Sequence, residues 1–85
     1  MPQVTMYATD WCPYCHRAEA LLRSKGVANI DKIDIEREPE RKKEMIAKTG
    51  RRSVPQIFIG DRHVGGCDDL HGLDRAGVLD GLLAD

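Results

Sequence analysis

No stretch of this 85-residue chain approaches the roughly 20 consecutive apolar residues that cross a bilayer, so a membrane partner is not expected. Neither charge is in excess. Thirteen Lys and Arg stand against fourteen Asp and Glu, for a formal net charge of -1. That balance offers no electrostatic basis for holding nucleic acid or an anionic surface. The start, Met1-Pro2-Gln3, lacks a basic flank and an apolar run, so it does not read as a secretory signal, and a cytoplasmic location is expected. Cysteine is scarce and odd in number, at three. A secreted disulfide scaffold would carry an even set. In a reducing compartment, two close cysteines point instead to catalysis or to a metal. There is no linker, repeat or low-complexity segment, and the length suits one domain over residues 1–85.

The hydrophobic period alternates between strand-like and helix-like. Val4-Thr5-Met6-Tyr7 reads as a short buried strand, followed by a loop from Ala8 to Trp11. Ala18, Leu21 and Leu22 have helical spacing, and Gly26 is a stop signal. Ile30, Ile33 and Ile35 mark a second strand. Pro39 suits the first turn of a second helix, with Met45 and Ile46 inward and Gly50 at its end. Ile57-Phe58-Ile59 is a third strand, Gly60-Asp61 a two-residue hairpin turn, and Arg62-His63-Val64 a fourth strand. Gly65-Gly66 breaks the chain. Asp68 or Asp69 is placed to cap a last helix with Leu70, Leu73, Leu79, Leu82 and Leu83 inward. The three glycines inside that helix, at 72, 77 and 81, weaken it. The order is β-α-β-α-β-β-α. A right-handed crossover makes the first strand pair parallel, and the hairpin makes the last antiparallel. A mixed four-stranded α/β sheet flanked by helices satisfies both.

Cys12-Pro13-Tyr14-Cys15 falls where the first strand gives way to the first helix. Pro13 fits the first helical position, which puts Cys12 at the N-cap. Unpaired N–H groups and the positive helix end favour a thiolate there. One helical turn returns Cys15 beside Cys12. The first sulfur is then able to attack a disulfide and the second to resolve the mixed disulfide. The residues allow other readings. The pair is half of a zinc site if Cys67 and one of His16, His63 or His71 join it. Cys15-His16 also completes the attachment string of a c-type haem, a use that requires export. His16 reads better as a half-exposed helix residue, and His63 and His71 as surface residues without partners.

Together, Cys12-Pro13-Tyr14-Cys15, Ser53-Val54-Pro55 and Gly65-Gly66-Cys67-Asp68-Asp69 resemble the glutaredoxin family, within the thioredoxin-like fold. The resemblance covers nearly the whole chain. It implies a cis bond at Val54-Pro55, which presents the backbone of Val54 to an extended peptide-like ligand, glutathione. It implies that Gly66, Cys67, Asp68 and Asp69 hold the γ-glutamyl end of glutathione at a helix N-terminus, with Tyr14 alongside. The family commonly places a basic residue three positions before the first cysteine, where this chain has Thr9. Arg41, Lys42 or Arg51 would then supply a charge for the second carboxylate of glutathione. Trp11 before Cys12 is a second departure and is shared with thioredoxins.

The resemblance thus implies a glutathione-dependent disulfide oxidoreductase with glutathione as co-substrate and no metal. It would act as a monomer on glutathionylated or disulfide-containing proteins, ribonucleotide reductase among the candidates, with glutathione reductase serving it indirectly. Two rivals stand beside that reading. One is a thioredoxin-like redoxin recharged by a flavin reductase, and the other an iron–sulfur or zinc carrier.

Overall fold

The computed structural model describes residues 1–84. Its elements run β1 (Val4–Ala8), α1 (Pro13–Ser24), β2 (Ile30–Asp34), α2 (Pro39–Thr49), β3 (Gln56–Ile59), β4 (Arg62–Gly65), α3 (Cys67–Arg75) and α4 (Leu79–Leu83). The sheet order is β2-β1-β3-β4. β1 pairs in parallel with β2, Tyr7 opposite Ile33, and antiparallel with β3, Met6 opposite Ile57. β3 and β4 form the hairpin expected from Gly60-Asp61, closed by Ile59 opposite Arg62. Gly60 takes φ +59°, as a glycine in the first central position of such a turn does. This is the thioredoxin-like arrangement.

Strand periodicity sorts the core into two clusters, because successive side chains leave opposite faces. Val4, Met6 and Ala8 of β1, with Ile57 and Ile59 of β3, face α1, α3 and α4. Tyr7 and Ile33 face α2, where Met45 is fully buried. Cys12 and Cys15 lie in the first cluster together with Leu22, Cys67 and Leu70. The two helix starts that carry the sequence motifs therefore meet over one face of the sheet.

The last expected helix is two helices. Ala76 caps α3 and Gly77 turns left-handed at φ +75°. The Gly77 amide donates to Asp74 O at 3.0 Å and the Val78 amide to Leu73 O at 2.9 Å. Those are the two bonds of a Schellman stop, and they divert the chain before Leu79. The same pair of bonds ends α1, from Gly26 to Arg23 and from Val27 to Leu22, so Gly26 is the stop that its position indicated. The start of α3 also differs from expectation. Cys67 is already helical and Gly66 is the N-cap, so neither Asp68 nor Asp69 occupies the cap. Asp69 reaches back from the third helical position instead, and its Oδ2 accepts the Gly66 amide at 2.9 Å. A carboxylate within the first turn caps as well as one preceding it, since it meets the same unpaired donors.

Candidate active site

Cys12 is the N-cap of α1, with extended backbone (φ -79°, ψ 112°) and Pro13 next in the helix. Its Sγ accepts the Cys15 amide at 3.2 Å, taking up one of the donors that a helix start leaves unpaired. The second neighbour of Cys12 Sγ is the carbonyl oxygen of Val54 at 3.8 Å, which the thiol form faces as donor. Cys15 lies behind, 2% exposed. Burial, followed by its hydrogen bond with Cys12, pushes the Cys15 thiol up to about 12, against a smaller downward pull from the Thr9 backbone. The two sulfurs are thus unlike in their surroundings: one accepts an amide at a helix end, and the other is kept protonated.

The loop before β3 brings Val54 to the cysteines. The Val54–Pro55 bond is cis. Gln56 ties this loop down, and nothing in its sequence position marked it. It is fully buried on β3. Its Nε2 donates to Ser53 O at 3.0 Å and lies 3.3 Å from Ser53 Oγ. Its Oε1 lies 2.8 Å from His63 Nε2, which must then carry the proton. Burial, and then Arg51, hold His63 below its ordinary range, so the ring is neutral near pH 7. Gln56→Leu removes both loop bonds and leaves the His63 N–H unpaired in a half-buried site, a cost of about 1–3 kcal/mol. A several-fold higher KM for glutathione is expected, with the alkylation rate of Cys12 unchanged. A fall in the alkylation rate instead would mean that Gln56 supports the whole site and not this loop.

Tyr14, Arg51, Ser53, Val54, Pro55 and residues 66–69 line one polar cleft. Cys67 is buried at its base. Arg51 Nη1 meets Asp69 Oδ2 at 3.0 Å, while the exposed carboxylate of Asp68 has no side-chain partner among the described residues. The Gly66 amide, and then Arg51, hold the Asp69 carboxyl below its usual range. A depressed folded value adds stability above the unfolded pKa of about 3.9 and loses it as pH falls through the folded value. The pair is half exposed, so the contribution is at most about 1 kcal/mol. Urea unfolding of the protein and of Asp69→Asn should differ most near pH 5 and converge toward pH 2. A gap constant over that range would remove this role from Asp69.

Other expectations fare differently. Arg41 is committed to α2, where it binds Glu44 at 3.1 Å and Glu38 at 3.9 Å, and Glu44 also receives the Tyr7 hydroxyl. Arg51 stands on the Asp69 side of the thiols, and Lys42 lines a separate groove beside Cys12. Thr9 is no surface position: it is 6% exposed, and its hydroxyl has no partner among the described residues. Its carbonyl accepts the Cys12 amide at 3.4 Å, so it shapes the loop. His63 and His71 are not free surface residues. His71 Nδ1 lies 2.9 Å from Cys67 O and 3.5 Å from Cys67 Sγ, and His63 stacks on Phe58 with centroids 5.0 Å apart. His16 is exposed rather than half-exposed. Sequence reading also missed Arg52, which joins Lys42 in the groove, and Glu36, which accepts the Trp11 indole N–H at 2.9 Å. No spacing rule links a loop arginine or a post-strand glutamate to a cysteine so far along the chain.

Two buried thiols one turn apart, the first of them with its sulfur on a helix-start amide, on this sheet order define a thioredoxin-fold thiol–disulfide oxidoreductase. Comparison with known proteins narrows the class. The glutaredoxin family model matches residues 4–64, and the chain belongs to the glutaredoxin family. It is 55% identical over 84 residues to a glutaredoxin of Pseudomonas aeruginosa, covering 99% of each chain. It is 52% identical over 83 residues to glutaredoxin 3 of Escherichia coli K12, covering 98% of this chain and 99% of that one. A buckwheat glutaredoxin solved as a glutathione complex superposes with a TM-score of 0.87 at 30% identity, over 96% of this chain and 76% of that one. No helix among the described residues is long and apolar enough to cross a membrane.

Proposed function

We propose that residues 1–85 act as a single dithiol glutaredoxin domain, reducing protein–glutathione mixed disulfides and protein disulfides with glutathione as electron donor. The observation that carries this reading is the placement of Cys12 Sγ, 3.2 Å from the Cys15 amide and 3.8 Å from the carbonyl of Val54, a residue that also lines the polar cleft of Arg51 and residues 66–69. Cys12 is the nucleophile. Its thiolate attacks the glutathione sulfur of a mixed disulfide. The S–S bond breaks, the protein thiolate leaves and takes a proton from solvent, and Cys12 carries glutathione. A second glutathione thiolate attacks that sulfur, giving glutathione disulfide and free Cys12. On a protein disulfide, Cys12 attacks one sulfur and the other leaves as a thiolate. Cys15 then loses its proton, attacks Cys12 Sγ and expels the second protein thiolate, and two glutathiones later reopen the pair and leave as glutathione disulfide.

Bound glutathione runs along Val54 and Pro55 as an added strand, with Tyr14 beside it. The γ-glutamyl carboxylate meets the amides of Cys67 and Asp68 at the start of α3. Asp69 is occupied by Gly66 and Arg51, so Asp68 takes the amino group. Of the three basic candidates, Lys42 alone has no ion-pair partner among the described residues, and it lines the groove that Cys12 also lines, where the glycine carboxylate of glutathione would lie. The test is turnover of a small glutathione mixed disulfide, recycled by glutathione with glutathione reductase and separately by thioredoxin reductase. Fast turnover with glutathione alone supports the proposal. Turnover with thioredoxin reductase alone would assign the chain to the redoxin rival. The protein substrates expected from this chemistry are cytoplasmic enzymes that end a cycle as disulfides, such as ribonucleotide reductase.

A further inference from the structure

Tyr14, Ser53 and Val54 form a wall with a groove on each side. The polar one is assigned above to the γ-glutamyl end. The other has a volume of about 480 Å³ and opens on Cys12 itself. Its lining is mainly apolar, from Trp11, Pro13, Ile35 and Val54. Trp11 is 67% exposed yet pinned, because its indole donates to Glu36. Exposed, pre-positioned aromatics of this kind anchor protein partners. Lys42 and Arg52 also line the groove, and neither has an ion-pair or hydrogen-bond partner among the described residues. Arg51 and Arg41, close by in sequence, are both paired. Glu36 is the one carboxylate in the lining, and it faces the indole. The groove is therefore apolar with a net positive rim, and only Lys42 of that rim is used by glutathione.

We infer that this groove docks the protein half of the mixed disulfide, selecting an extended segment with a bulky apolar side chain and an acidic residue beside its cysteine. The inference rests on the glutathione-dependent reaction proposed above and names the substrate that reaction prefers. The apolar side chain packs on Trp11 and Ile35, and the carboxylate meets Arg52. Charge complementarity at such a rim acts on partner choice more than on raw affinity.

The test uses three glutathionylated peptides of equal length, with Leu and Glu, Leu and Lys, or Ser and Glu beside the cysteine. Each is scored by kcat/KM against a small glutathione mixed disulfide in the same preparation. The Leu–Glu peptide should be preferred over each of the others by roughly tenfold, the scale of one good anchor contact. Arg52→Glu should invert the Glu–Lys order, and Trp11→Ala should erase the Leu–Ser difference. Misfolding cannot invert a preference, and retained turnover of the small substrate in the same preparation separates loss of the Leu–Ser difference from loss of the fold. The chain has one Trp, so intrinsic fluorescence reports occupancy directly: the Leu–Glu peptide with Ser in place of Cys should shift it. Equal rates for all three peptides, with the small substrate turned over normally, would overturn the docking inference and leave the proposed function standing. Loss of the small-substrate reaction itself would overturn both.

Discussion

Cys12→Ser is expected to lower turnover of a small glutathione mixed disulfide by at least about a thousandfold, to the uncatalysed rate. Cys15→Ser should keep most of that activity and lose reduction of protein disulfides. The asymmetry follows from geometry. Ser is a good N-cap, so Ser at position 12 still accepts the amide that Cys12 Sγ accepts at 3.2 Å, and the helix start survives. Only the nucleophile is lost. At position 15 the group that supports Cys12 is the backbone amide, which Ser supplies as Cys does. The Cys15 thiol is needed only when a protein disulfide must be released. Burial keeps it protonated before then. Once Cys12 is in a mixed disulfide its charge is gone, and one of the influences that raise Cys15 is relieved. Stopped-flow turnover with the small substrate, beside reduction of a protein disulfide, checks both variants. Retained activity in Cys12→Ser would move the nucleophile to another sulfur.

Gly65→Ala should raise the KM for glutathione about tenfold and cost about 1–3 kcal/mol of stability. Gly65 has φ +116°, a conformation side chains rarely adopt, and an added Cβ would lie 2.8 Å from Asp69 Cγ. Relief requires Asp69 to swing away, breaking its bond to the Gly66 amide and its pair with Arg51. The start of α3 then loses its cap, and the polar cleft loses its shape. Gly72→Ala is the control. That glycine lies inside α3 with open space around it, so Ala there should stabilise by about 0.5–1 kcal/mol and leave the KM alone. Thermal unfolding and glutathione kinetics on the two variants separate a general glycine effect from one tied to this corner. An unchanged KM in Gly65→Ala would detach the corner from glutathione.

Much of the fold was legible because this chain punctuates clearly. Gly26 and Gly50 stop helices, Pro13 and Pro39 open them, and Gly60 turns a hairpin. The α3–α4 break was harder to read, since leucine periodicity runs through Gly77 and only its left-handed geometry decides. The cap of α3 was misplaced because a carboxylate serves from the third helical position as well as from before the first. His63 and His71 looked free because their partners, Gln56 and the Cys67 carbonyl, carry no signature of their own.

By itself the sequence determined the element order, the two cysteines one turn apart and the three motif segments, all of them products of local spacing along the chain. Tertiary structure decided how the sites work together. It stacked α1 and α3 over one sheet face, so that a helix start bearing Cys12 meets one bearing Asp69. It buried Thr9 and committed Arg41 to Glu44, which left Lys42 and Arg52 as the cations beside the thiol. Spacing is read within a segment, whereas burial and pairing depend on groups distant along the chain that only packing brings within a few ångströms.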